Sequence, residues 1–126
     1  MKSHYLDNLY LNAALRRMPF TPPETLYVAL YTELPTPSSP GVEVSGGGYE
    51  RQLVTFAEPI NGQAKSENDV VYPIAIEPWG DVVGFALVDA LAGGHVLYFA
   101  GLGYPRTVDV SDQVKFPAGA LVCQER

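Results

Sequence analysis

VVGFALVDALAGGHVLYFAGL, residues 82–102, decides the fold. Residues 82–89 are dominated by Val, Phe, Ala and Leu, too short a run for a stable helix and rich in β-formers. Gly93 and Gly94 then supply a turn, and residues 95–102 return as a second β-type run. Two such runs joined by a short glycine-containing link predict an antiparallel hairpin.

Working outward, residues 25–32 (TLYVALYT) predict another strand. Leu26, Val28 and Leu30 fall on one face and Tyr27, Ala29 and Tyr31 on the other. Both faces are apolar, which predicts a central position. A strand is expected at 49–57. The run VVYPIAIEPWG, 70–80, carries two prolines, which suit an edge or interrupted strand. Short strands near 107–110, 114–116 and 120–125 close the chain, with FPAG as a bend. One helix is expected, over residues 3–17. Leu6, Leu9, Tyr10, Ala13 and Ala14 recur there at three- and four-residue steps. Ser3 can cap it, Asp7 lies early, Arg16 and Arg17 lie late, and Pro19 and Pro22-Pro23 stop it. The expectation is an all-β fold, an antiparallel β-sandwich of jelly-roll type behind one N-terminal helix. It forms a single domain over 1–126, with the β-part at about 25–125.

The chain has 126 residues, enough for a core without covalent staples. Hydrophobic residues make up 47% and charged residues only 17%, below the usual quarter, so part of the surface is expected to be covered by a partner. The net charge of −6 argues against nucleic-acid binding, which concentrates Lys and Arg. No apolar run is long enough for a membrane-spanning helix, and the N-terminus lacks the plan of a signal peptide. The single cysteine, Cys123, excludes an internal disulfide.

The sequence offers little chemistry. The glycine triplet Gly46-Gly47-Gly48 is not followed by Lys and a helix, so it does not fit a phosphate loop; it fits a flexible lead-in to the strand from Tyr49. His4 and His95 have no ligand or triad partners in motif spacing, so no catalytic residue, metal or cofactor is assigned. The acidic residues carry no paired signal. SENDV, 66–70, lacks the Gly and distal Glu of a calcium loop and fits an Asx turn. Trp79, between Pro78 and Gly80, fits a core anchor; its alternative is a platform that stacks on a sugar.

Taken in order, YLDNLYLNAALR, TLYVALYTELPTP, EVSGGGYERQ, WGDVVGFALVDALAGGHVLY and VSDQVKFPAGAL resemble a family of small bacteriophage virion proteins, labelled tail-fibre or minor tail proteins. The resemblance spans roughly residues 4–122. One local departure is Ser111-Asp112, where the family more often has Gly-Asp. The resemblance implies a non-enzymatic structural protein of the virion, assembled in the host cytoplasm and built as a homo-oligomer, with a trimer expected. It would be a tail-fibre, baseplate or collar component, or a capsid decoration or head-fibre protein. Its partners would be other copies of itself and tail, collar or major capsid proteins. A carbohydrate-binding module that adheres to host-surface glycans is the alternative. The helix stripe (Leu6, Leu9, Tyr10, Ala13) and the proline loop (Pro35, Pro37, Pro40) are the candidate docking elements. The loop over 33–48 is expected to lie on a neighbour.

Overall fold

The computed structural model describes residues 2–36 and 39–124. It is an antiparallel all-β fold with one N-terminal helix, α1 (His4–Arg16). Strands β1 (Leu26–Glu33), β6 (Gly80–Val88) and β7 (Val96–Val108) are the long strands of a five-stranded sheet, with β6 between the other two and β7 at one edge. The short strands β2 (Val42–Glu43) and β3 (Gln52–Val54) both pair along the outer edge of β1. The hairpin read from residues 82–102 is the β6–β7 pair, and β1 lies inside the sheet, paired with β6 from Tyr27 to Tyr31.

The second layer is not a continuous sheet. It consists of two two-stranded ribbons, β4 (Gln63–Lys65) with β9 (Val122–Gln124), and β5 (Val70–Val71) with β8 (Lys115–Phe116). Pro73 and Pro78 explain this. Each removes a ladder donor, so the run 70–80 gives only two paired residues before it becomes irregular. Its backbone is satisfied by scattered bonds instead: Tyr72 N–H to the Val114 carbonyl, Ala75 N–H to that of Asp112, and Trp79 N–H to that of Val108. The strand expected near 107–110 is also revised. β7 runs on through Val108, accommodating Leu102 to Pro105 in a bulge between the pairs Gly84–Gly101 and Val82–Arg106.

Alternation along β1 sends side chains to two apolar clusters. Val28 and Leu30 join Val54, Val70, Tyr72, Trp79, Leu87 and Val114 in the main core between the layers. Ala29 and Tyr31 join Ala86, Val88 and Phe99 on the opposite face. Burying a large apolar side chain contributes roughly 1.5–3 kcal/mol, so the main core dominates stability. Tyr72 is fully buried, and its hydroxyl donates to the Val28 carbonyl at 2.6 Å.

The opposite face is covered by the chain's own loop. Gly84 and Gly101 are cross-strand partners, and the missing side chains leave a hollow that Leu34 fills. A Cβ on Gly84 would lie 2.2 Å from Leu34 Cδ2 and 2.6 Å from the Ala100 carbonyl oxygen. Pro35 is buried beside it and Val44 is buried in the main core. The expectation that the loop 33–48 is free to lie on a neighbour is therefore corrected for its two ends. Pro40 is exposed, and Pro37 lies outside the described residues.

Candidate partner-docking surface

The Gly46-Gly47-Gly48 segment works as a backbone device. All three residues have positive φ, between 61° and 84°, a region costly for residues with a Cβ. Gly47 packs against the Cδ1–Nε1 edge of the Trp79 indole, and its carbonyl accepts from Trp79 Nε1 at 2.9 Å and from the Ile76 N–H at 3.0 Å. Trp79 is 5% exposed, edge-on to Tyr49 and Tyr72. The indole is almost wholly buried and its N–H is bonded within the chain, so it presents no platform for a sugar.

The strand entry after the glycines carries a polar clamp. Arg51 binds Glu43 through Nε and Nη2 at 2.9 and 2.8 Å, and its Nη1 donates to the carbonyls of Ala90 and Gly93, both at 2.8 Å. One side chain thus ties β2 to the β6–β7 turn. The Tyr49 hydroxyl accepts from the Leu30 N–H and donates to Glu43. Burial, and then this bond to Glu43, push the Tyr49 phenol well above its ordinary range. The hydrogen bond to Glu43 is also the main reason the Arg51 guanidinium is raised. These groups are saturated by one another and hold structure.

α1 is built as the sequence predicts at its start. The Ser3 hydroxyl accepts from the Leu6 N–H at 3.2 Å, and Asp7 sits in the first turn. At the far end, Arg17 adopts the left-handed conformation and the Met18 N–H returns to the Asn12 carbonyl. The helix is moored to β7 by its first two turns. The Ser3 N–H donates to the Leu97 carbonyl at 2.8 Å, Tyr5 stacks on His95 with ring centres 3.9 Å apart, and the Tyr10 and Tyr98 hydroxyls meet at 3.4 Å.

Of the expected stripe, Leu6 is buried, and Leu9, Tyr10 and Ala13 are half-buried. Leu6 and Tyr10 are therefore engaged with the chain's own fold. A second apolar pair lies on α1, Leu11 and Leu15, exposed at 55% and 76%; Met18, 46% exposed, follows just past the helix end. At 100° per residue Leu11 and Leu15 fall on the side of the helix opposite Leu6, Leu9 and Ala13. Their four-residue spacing is visible in the sequence. Because the helix is apolar on two sides, spacing alone does not say which side docks.

Among the described residues, no three His, Cys, Asp or Glu side chains stand close enough to hold a metal ion, and no helix is long and apolar enough to cross a membrane. What α1 leaves exposed on its outer side is the apolar pair Leu11 and Leu15. The family model described as Podophage GP4 fiber I protein gp80 matches residues 1–124, and the chain belongs to this family. It is thus a bacteriophage fibre-type protein, a virion component with a structural role among other virion components. No curated protein matches the chain.

Proposed function

We propose that the whole chain acts as one non-enzymatic module of the phage tail fibre and self-associates, as a trimer, through α1. The observation that carries this reading is the pair Leu11 and Leu15, left exposed on a helix whose other side is docked at home. Contiguous exposed apolar surface of this kind marks interaction sites.

Charge favours a second copy as the occupant. Residues 1–20 hold three of the eight basic side chains (Lys2, Arg16, Arg17) and only one of the fourteen acidic ones (Asp7). The remainder carries thirteen acids against five bases. A basic, apolar helix is complementary to the acidic body of another copy. The test is the solution mass of the full chain by light scattering, before and after Leu11→Gln with Leu15→Gln. A trimer that the double variant converts to monomer supports the reading. A wild-type monomer, or a trimer indifferent to the variant, rejects it. Cryo-EM of the intact particle tests the tail placement: density on the capsid lattice would overturn it.

A further inference from the structure

Between the five-stranded sheet and the β5–β8 ribbon lies a cavity of about 210 Å³. Its floor is apolar and buried: Leu30, Val82 and Val114. Half-buried Leu102 and Phe116 form its walls. The lining residues that reach solvent include Arg106 and Lys115, which places two cations at its mouth.

Two observations set this cavity apart from a packing defect. Native cores hold few voids larger than a water molecule, and an apolar cavity of about 150 Å³ stays dry and admits benzene. This one exceeds that size, has an apolar floor, and opens to solvent beside polar lining residues. The cations are also unusual on a chain of net charge −6. The Arg106 backbone sits in the ladder opposite Val82, and its side chain makes no hydrogen bond or ion pair among the described residues. Lys115 has only an exposed contact with Asp69 at 3.7 Å, the kind of pair worth about 0–1 kcal/mol. Asp81, on the strand paired with this part of β7, is engaged by the Thr107 hydroxyl.

We propose that this cavity is a plug site for an acidic peptide segment of a neighbouring virion chain. One large apolar side chain of that segment enters the cavity, and flanking carboxylates pair with Arg106 and Lys115. The bulge Leu102 to Pro105 serves the site, because it interrupts the β6–β7 ladder where the second layer would otherwise close down. The proposal takes from the family only that the protein sits among other virion chains. It does not depend on self-association through α1.

The test uses the full-length protein and three probes followed by NMR: benzene, a capped Asp-Phe-Asp tripeptide and a capped Asn-Phe-Asn tripeptide. Benzene is expected to shift the signals of Val82, Val114 and Phe116. Asp-Phe-Asp is expected to shift the same signals and to bind about five-fold tighter than Asn-Phe-Asn, the scale of one or two exposed ion pairs. Arg106→Gln should shrink that difference while leaving benzene binding intact, and Leu102→Trp should exclude all three probes. If benzene moves none of these signals, there is no receptive cavity. If benzene binds but the two peptides bind equally, or not at all, the site does not select an acidic segment. Either result overturns the proposal and leaves the mass and particle measurements on α1 untouched.

Discussion

Arg51 grips Glu43 in a two-pronged ion pair and, with its third nitrogen, holds two carbonyls of the β6–β7 turn 39 and 42 residues further on. Lysine has one nitrogen and cannot make this fork. Arg51→Lys should therefore leave the fold intact but lower its stability by about 2–3 kcal/mol, the scale of breaking a largely buried, charge-assisted set of bonds. Urea unfolding measures it. A change under 0.5 kcal/mol, the range of an ordinary surface substitution, would show that the clamp is ornamental.

The glycine triplet allows a paired comparison. Gly46 and Gly47 share a left-handed backbone, but a Cβ on Gly46 meets nothing within 4 Å, whereas one on Gly47 would lie 2.8 Å from Trp79 Cδ1. Gly46→Ala should cost only the backbone penalty, about 1 kcal/mol. Gly47→Ala should cost about 1–3 kcal/mol more, because the indole has to move. Tryptophan fluorescence should change in the second variant only. Equal losses in both would mean that Trp79 yields freely.

Stability should fall in alkali. Burial is the leading reason that the Tyr72 and Tyr49 phenols are raised in the fold above their ordinary 10.0. Groups raised on folding stabilise fully below the unfolded value and lose that contribution as pH climbs past it, because only the unfolded chain gives up the proton. Denaturant midpoints should fall above about pH 10, as the unfolding free energy drops by about 1.4 kcal/mol per pH unit for each such phenol. Tyr49→Phe should make the fall shallower. A midpoint that stays level through about pH 11 would contradict the burial of these groups.

Leu11→Gln with Leu15→Gln should leave the melting temperature of the isolated chain almost unchanged, since both side chains already face water. Its effect should fall on assembly, seen as a smaller particle in light scattering. Leu6→Ala is the contrasting change. It empties a site that is 3% exposed and should cost about 2–5 kcal/mol in the folded chain itself. If the Leu11 and Leu15 changes unfold the protein instead, α1 is held by contacts along its outer side.

Strands β1, β6 and β7 were legible because each is long enough for alternation to show, and their glycine turn has its own signature. The second layer was not. Its strands are two or three residues long, and what holds them is the main-chain bonding of Tyr72, Ala75 and Trp79 to distant carbonyls, which leaves no period in the sequence. The helix was legible from Ser3 and its late arginines, but which side it docks was not, since Leu6 and Leu11 belong to equally plausible stripes. Leu34 and Pro35 read as an outward proline loop. Only the Gly84–Gly101 hollow, formed by residues 50 and more positions away, draws them back. The Arg106 cavity had no sequence signal, because it is a gap between layers and not a run of residues.

The Tyr10–Tyr98 contact joins residues 88 positions apart, so α1 is made well before the strand it docks on. At 5–20 residues per second, the helix segment spends roughly 4–18 s in the host cell before β7 exists to receive it. Throughout that interval both of its apolar sides are open to whatever is nearby. The order of synthesis therefore leaves the docking side of α1 without its cover until β7 is complete, which makes the seating of the helix one of the last steps of folding.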